Sequence, residues 1–178
     1  MTMFSLCLLV LLHSVGSVGP ASNCASLLPA AAQESIRSEL NQGWRIVTID
    51  DLPTDDKMLW NQDHVGKCPG ISYGHFYDRI TRSYVVALLR SPAPGKYVEQ
   101  LLLLTPAGDH STRLNVVRAM SVISPFVVWT LAPGKYAGID GKTPIYIGNE
   151  SFVYEKMEAV STQYYFQQRR LRALRAAK

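Results

Sequence analysis

His64, Cys68 and His75 are the residues whose types and spacing come closest to a recognisable chemical site. The pattern H-x3-C-x6-H offers three zinc ligands, but structural zinc sites use four, and no fourth ligand stands nearby. Cys68 and His75 also resemble a nucleophile and its base, with Asp63 or Asp78 to orient the imidazole. Both interpretations need a free thiol or thiolate at Cys68, so the state of that cysteine is decisive.

Three carboxylates near predicted strands, those of Glu150, Glu155 and Glu158, offer a second kind of chemistry. A pair of carboxylates can serve as the acid and base of a glycosidase. Glu155 and Glu158 would point to opposite faces of a strand, however, so the pattern favours charged residues on a solvated sheet face. The chain contains no Gly-x-Ser-x-Gly elbow, His-Glu-x-x-His pair or Walker loop. We therefore predict no catalytic residue, no bound metal and no cofactor.

The first residues of the chain have the composition of a secretory signal peptide. They carry no Asp, Glu, Lys or Arg, and the apolar run from Leu6 to Leu12 is followed by small residues that suit cleavage after Ala21 or Gly16. A bilayer span needs roughly 20 apolar residues, so this run is too short. We predict a signal peptide over residues 1–21, one domain over residues 22–178, a periplasmic or secreted location, and no transmembrane segment after cleavage.

Export changes the interpretation of the cysteines. Cys7 would leave with the signal peptide, whereas Cys24 and Cys68 would remain. Two cysteines in an oxidising compartment usually pair, so we predict a disulfide between Cys24 and Cys68. The chain-entropy model assigns a loop of that size about 4 kcal/mol of stabilisation. The bridge would also consume the thiol that a zinc site or a nucleophile needs.

Helix-forming residues precede a series of segments that resemble strands. The run from Ala30 to Leu40 predicts a helix, Trp44 to Ile49 predicts a strand, and Asp50 to Asp56 predicts an acidic loop around Pro53. Residues 112–123 fit neither a helical nor a strand period. Apolar or alternating segments separated by turn residues predict further strands at 71–76, 84–89, 97–104, 126–131, 144–147, 151–157 and 164–166.

Most of these segments follow one another through short connections, which implies antiparallel pairing. We therefore predict an α+β fold: a single domain with an antiparallel sheet of about five to seven strands and the N-terminal helix packed on one face.

The sequence is compatible with two structures at the end of the chain. After a turn at residues 167–169, residues 170–174 could return as an edge strand guarded by arginines, or could form a helix, since Leu171 and Leu174 stand three apart.

Three motifs resemble a pattern in small exported bacterial proteins of unknown function: CPGI at residues 68–71, G-x-F-x-D at 74–78 and YVVALL at 84–89. Those proteins carry a degenerate FG-GAP-like stretch, in which a Gly-Asp-Phe loop precedes a strand, and residues 152–174 resemble their closing strands. The resemblance would place Gly where this chain has Arg169. FG-GAP loops bind calcium through repeated Asp residues, whereas Asp78 is the only carboxylate in HFYDRITRS. Calcium takes six to eight oxygen ligands, so we predict no calcium here.

Aromatic and basic residues provide the best candidates for recognition. The chain has a net charge of +4, and five of its last ten residues are Arg or Lys, with no acid among them. Tyrosines near arginines are typical of binding surfaces, although aromatic clusters are equally typical of a core. The candidate binding surface consists of Tyr73, His75, Tyr77, Tyr165, Arg169, Arg170 and Arg172.

Two functional hypotheses follow from these features. The first is a non-enzymatic binding or inhibitory module of the bacterial envelope, whose partner would be an envelope protein or ligand rather than a nucleic acid. The second is a small envelope hydrolase that uses the surroundings of Cys68 and His75. A disulfide at Cys68 would separate them, because it removes the nucleophile.

Overall fold

The computed structural model describes residues 24–107, 111–139, 143–157 and 159–176. The predicted signal peptide at residues 1–21 and the carboxylate of Glu158 lie outside this part of the chain. Among the described residues, no helix is long and apolar enough to cross a membrane.

Short helical segments occupy the first third of the described chain. Two of them are 3-10 helices, at Cys24–Leu27 and Ile49–Asp51, and the others are α1 (Ala30–Ser35), α2 (Arg37–Asn41) and α3 (Thr54–Asp63). The single helix predicted from Ala30 to Leu40 is thus divided at Ile36, whose backbone φ of −103° and ψ of 3° depart from helical values. Ile36 itself is buried, so the break turns its side chain into the core.

The other regular elements of the described chain are strands. In chain order they are β1 (Arg45–Ile46), β2 (Ile71–Gly74), β3 (Ser83–Ala93), β4 (Lys96–Pro106), β5 (Thr112–Val122), β6 (Val127–Leu131), β7 (Gly134–Tyr136), β8 (Ile145–Ile147), β9 (Ser151–Lys156), β10 (Val160–Gln167) and β11 (Arg170–Ala176). The return of the chain as β11 settles the choice between strand and helix at its C-terminus in favour of the strand. The fold is more β-rich than the α+β domain predicted from sequence.

The strands form three antiparallel sheets rather than the one sheet that was predicted. The first, called sheet A, has the order β1-β3-β4-β5, and β2 also pairs with β3. The second, sheet B, has the order β11-β10-β9-β6, and β7 and β8 form a separate pair. Antiparallel pairing and a single small domain were predicted correctly. The division into sheets was not, because nothing in the local sequence marks which strands exchange hydrogen bonds.

Strands β3 and β4 are buried on both faces. On one face, Val85, Ala87 and Leu89 of β3 pack with Phe152 and Tyr154 of sheet B. The alternate residues, together with partners from the N-terminal helices, form a second cluster: Val86, Leu88, Leu102 and Leu104 with Leu28, Ala32 and Ile36. The N-terminal helices therefore do pack on a sheet, as predicted. Burial on both sides explains why YVVALL and LLLL are uninterrupted apolar runs.

The predicted acidic loop at residues 50–56 is wrong. Thr48 caps the second 3-10 helix through a reciprocal capping box with Asp51, and α3 begins directly after Pro53. Asp55 and Asp56 fall in the first turn of α3, where negative charge is favourable beside the positive end of the helix dipole. These acids are thus helix-start signals rather than loop residues.

Strand β5 occupies the segment that fitted neither period. Leu101 lies opposite Arg118, whereas Leu102 lies opposite Val116, so Val117 is an extra residue in β5. Such a bulge breaks the alternation of inward and outward side chains. The sequence pattern was therefore ambiguous because the strand itself is irregular.

The predicted disulfide between Cys24 and Cys68 is confirmed. The two Cα atoms lie 5.7 Å apart, and the bridge spans 44 positions of the chain. It fastens the first 3-10 helix to the loop before β2. The Cys-Pro-Gly turn beside it is tight, since a Cβ on Gly70 would lie 2.3 Å from the Val47 carbonyl oxygen.

A carboxyl group is buried between the two sheets. Glu99 on β4 has no exposed surface, and its Oε2 accepts a hydrogen bond of 2.9 Å from the Phe126 backbone N–H. Burial raises the pKa of Glu99 to about 7, against the opposing effects of Phe126 N–H and the nearby Tyr154 hydroxyl, and with a small further rise from Asp51. Burial and Glu99 also raise the pKa of Tyr154. Oε1 of Glu99 and the Tyr154 hydroxyl are both buried without a hydrogen-bond partner among the described residues, and no cation there forms an ion pair with Glu99.

Glu99 should make the stability of the protein depend on pH. In the unfolded chain Glu99 loses its proton near its ordinary pKa of 4.5, whereas in the folded protein it keeps that proton up to about pH 7. The contribution of Glu99 to the free energy of unfolding is therefore fully present below about pH 4.5 and is lost as the pH rises to about 7. The total loss is about 3 kcal/mol. Glu99→Gln, which cannot ionise, should be more stable than the native chain at about pH 8 and similar to it at about pH 4.5 in urea unfolding. The control is Glu34→Gln on exposed α1, and equal pH profiles for Glu99→Gln and the native chain would contradict the prediction.

Candidate functional site

The two sheets meet along one side of the molecule. Val128 on β6 donates its backbone N–H to the Pro69 carbonyl at 2.8 Å, and the Thr130 hydroxyl donates to the Tyr73 carbonyl at 2.9 Å. The hydroxyls of Ser72 and Thr130 are also within hydrogen-bonding distance. The edge of sheet B is therefore attached to β2, and the layered structure is closed on this side.

The opposite side is open. There β5 ends sheet A and β11 ends sheet B, and within the described chain no strand pairs with the outer edge of either. A cleft of 510 Å³ lies between the two sheets at this side. We call it the arginine cleft, and its lining consists of Tyr77, Asp78, Thr81, Leu103, Thr105, Pro106, Ala107, Arg113, Asn115, Phe166, Arg169 and Leu171.

Sheet A supplies one wall of the arginine cleft. Arg113 and Asn115 on β5 lie opposite Thr105 and Leu103 on β4, so these four residues share the face that looks toward sheet B. Leu103 is buried, whereas Arg113 and Asn115 are exposed. The inner face of sheet A thus changes from apolar to cationic at the point where sheet B no longer covers it.

The hairpin between β10 and β11 supplies the other wall. Gln167 pairs with Arg170, so Gln168 and Arg169 alone form the connection, within the predicted turn. Their φ values are 50° and 62°, in the left-handed region that two-residue hairpins require and that Asn-Gly usually fills. A side chain in this region costs roughly 1–2 kcal/mol per residue. Arg169 is therefore held over the cleft in a conformation that glycine would adopt more easily.

Aromatic and acidic groups complete the lining. The rings of Tyr77 and Phe166 meet edge to face with their centroids 5.2 Å apart, and Leu171 lies beside them in the cleft. Asp78 accepts hydrogen bonds at Oδ1 from the backbone N–H groups of Thr81 and Ile80. These hydrogen bonds lower the pKa of Asp78, with the larger effect from Thr81, and they keep its carboxylate ionised.

The described lining of the cleft carries more positive than negative charge. It contains two guanidinium groups and one carboxylate, and among the described residues neither Arg113 nor Arg169 takes part in an ion pair. An arginine offers planar, paired donors to a carboxylate or phosphate, and the neighbouring rings offer apolar contact. The arrangement can bind an anionic group attached to an apolar body.

The seven residues of the predicted binding surface fall into different places. Tyr77 and Arg169 line the arginine cleft, and Tyr73 lines a second cleft of 410 Å³ beside the join between β2 and β6. The other four line neither of these two clefts: His75, Tyr165, Arg170 and Arg172. Tyr165 lies directly opposite Arg172 in the β10–β11 pair, on the face away from Tyr164 and Phe166.

His75 is bound to one of the predicted carboxylates. Glu150 Oε2 accepts the His75 backbone N–H at 2.6 Å and lies 3.1 Å from Nδ1 of the same residue. The prediction of a solvated sheet face is wrong for Glu155, which is buried and accepts a 3.0 Å hydrogen bond from Trp129 Nε1. Each of these carboxylates joins two segments of the chain, Glu150 to His75 and Glu155 to Trp129.

His64, Cys68 and His75 have separate structural roles. His64 lies between the rings of Trp60 and Trp129, at centroid distances of 4.2 and 5.2 Å. Cys68 is bonded to Cys24, and His75 contacts Glu150. Within the described ranges, no three side chains of His, Cys, Asp or Glu come together as metal ligands.

Of the twelve described residues that line the arginine cleft, sequence reasoning placed only Tyr77 and Arg169 on a binding surface. Arg113 and Asn115 were overlooked because their segment had no assigned structure, and Phe166 and Leu171 were considered only as core or edge residues. A usable signal was present at Arg169, since a bulky residue stood where the resembling family has glycine. Arg169 has the largest positive φ among the described non-glycine residues.

The hairpin turn gives a test of the strain at Arg169. Arg169→Gly and Gln168→Gly should each raise the free energy of unfolding by about 1 kcal/mol, because glycine adopts a positive φ without a Cβ clash. Urea unfolding of both variants beside the native chain measures the change. A loss of stability in Arg169→Gly alone would contradict this account and would show that the arginine is retained for packing.

No family model matches this chain, and no match was found among the curated proteins or the solved structures. The resemblance to exported proteins with an FG-GAP-like stretch therefore stays a prediction. The arginine cleft combines positive charge, aromatic surface and backbone strain at one place.

Proposed function

We propose that this chain is an exported binding or inhibitory module of the bacterial envelope, and that its partner occupies the arginine cleft. The observation that carries the proposal is the pair Arg113 and Arg169, which stand on opposite walls of one cleft without an ion-pair partner among the described residues. Arg169 adds weight, because its backbone conformation opposes stability. Strain of this kind persists where a side chain serves a function.

The residues that line the cleft favour binding rather than catalysis. Its lining offers two cations, one ionised carboxylate, hydroxyl and amide groups, and apolar rings. Among the residues that the structure describes, which exclude positions 108–110, the lining contains no histidine, cysteine or lysine that could act as a nucleophile or a general base near neutral pH. Asp78 is engaged by two backbone N–H groups, which makes it a weak base. These groups are suited to hold an anionic partner in a fixed orientation.

The alternative of a small hydrolase at Cys68 and His75 has less support. The Cys68 sulfur is bonded to Cys24, and a sulfur in a disulfide cannot attack a substrate as a thiolate. The nearby imidazole is turned toward Glu150. The disulfide is also what an exported chain with these cysteines would contain, so it favours export and binding together.

Affinity capture from an envelope extract tests the proposal. The native chain should retain a partner that Arg169→Gly and Arg113→Gln lose, because each substitution removes one guanidinium from the cleft. Gln168→Gly should retain the partner, since it changes the same turn without removing a residue that lines the cleft. Quantitative mass spectrometry of the bound fractions provides the comparison.

A matched change of charge elsewhere completes the design. Arg37→Gln removes one positive charge from exposed α2, outside the cleft, and should leave capture unchanged. If all five proteins retain the same set of partners in equal amounts, the arginine cleft is not the binding site and the proposal fails.

A further inference from the structure

We propose that the partner presents an acidic, extended peptide segment, which adds a strand to the free edge of β5 and places its carboxylates against the arginines of the cleft. This inference rests on the proposed function and specifies the chemistry of the partner. It combines an unpaired strand edge, a cluster of cations along that edge, and a cleft that begins where the edge is exposed.

The edge of β5 is long and accessible. The strand runs from Thr112 to Val122, pairs with β4 on one side, and has no strand on its other side in the described structure. Val116 has 54% of its surface exposed, although it is a large apolar residue. An exposed row of backbone N–H and C=O groups is a template for another strand, and binding of peptides by strand addition uses such edges.

The arginines around the β5 edge favour an acidic peptide. Strand β5 contains Arg113 and Arg118 and no acidic residue, and both arginines lie opposite residues whose side chains look toward sheet B. Across the open side stands Arg169 at the turn of the C-terminal hairpin, which is exposed and lines the cleft. A peptide carrying Asp or Glu at alternate positions would present them on the face where Arg113 lies.

The bulge limits where the peptide can pair. Val117 interrupts the ladder between β4 and β5, and a bulge distorts the edge on which a new strand would form. The regular part that adjoins the cleft is Thr112 to Val116, since Arg113 and Asn115 line the cleft directly. Pairing should therefore be confined to this half of β5.

Two other arrangements fit the structure less well. The outer edge of β11 is partly used, because Ile139 donates its backbone N–H to the Arg175 carbonyl at 3.0 Å. A second copy of this chain would bring a second basic β5 against the first, and like charges facing each other across a strand pair are destabilising. An acidic peptide meets neither difficulty.

Selection from a random peptide library displayed on phage, with the disulfide-intact chain as target, tests the inference. The enriched peptides should carry Asp or Glu at alternating positions and lack proline. Bound synthetic copies should slow amide hydrogen exchange at residues 112–116 by at least about tenfold. Backbone N-methylation of alternate residues, which removes ladder donors, should weaken binding by about tenfold or more. Arg113→Gln should weaken it also, and Arg37→Gln should not.

Several outcomes would overturn the inference and leave the proposed function standing. Acidic peptides that bind equally well after N-methylation, without protecting residues 112–116, would show an anion site with no added strand. Enrichment of peptides without acidic residues would remove the charge argument. Protection of β11, or of β5 by a second copy at a doubled mass in light scattering, would assign the edge differently. Loss of partner capture in Arg169→Gly would still support the cleft in each case.

Discussion

Strands β3 and β4 are buried on both faces, and this burial determines where the other elements lie. Each strand sends alternate side chains to two separate apolar clusters, so both faces of sheet A need a cover. Sheet B covers one face, and the N-terminal helices cover the other. Because those helices are short, they need an anchor, and the disulfide from Cys24 to Cys68 fastens the start of the layer beside β2. The bridge therefore ties the start of the helical layer to the loop before β2, and it leaves no free thiol at Cys68.

The same constraint creates the open side of the molecule. Sheet B is joined to β2 by hydrogen bonds from β6, so it is held at one side of sheet A. Sheet B leaves the inner face of β5 uncovered near Arg113. The cleft forms there, bounded by a strand edge and by a hairpin with a strained turn. The joined side of the sandwich therefore holds the two sheets together, whereas the strain at Arg169 lies on the opposite, open side, where we propose that the partner binds.

The sequence predicts the parts of this fold that local periodicity and composition control. The apolar runs of β3 and β4, the antiparallel pairing, the strand containing Tyr164 and Phe166, and the disulfide could all be foreseen. The bulged β5 could not, because an extra residue at Val117 reverses the alternation on which strand prediction depends. Helix α3 was hidden for another reason: its apolar residues do not form a clear stripe, and its acids resemble a loop. The burial of Glu99 follows from neighbours in other strands, which no local pattern reveals.

The cleft shows the same limit more strongly. Its lining comes from the loop after β2, the end of β4, the start of β5 and the C-terminal hairpin. Only the packing of the two sheets brings these segments together. Tyr77 and Arg169 could be proposed from residue type, whereas Arg113 required knowledge of the strand register. Residue types can therefore identify candidates, but the selection among them depends on which edges the two sheets leave open.

Photo-crosslinking in the envelope tests the central claim, that the open side of the sandwich holds the partner. A photoreactive phenylalanine analogue would replace Asn115 inside the cleft or, as the control, Tyr146, which is exposed on β8 and does not line the cleft. Irradiation should yield a discrete covalent adduct from position 115 and none from position 146. An adduct that forms only from position 146, or equally from both positions, would contradict the assignment of the arginine cleft as the binding site.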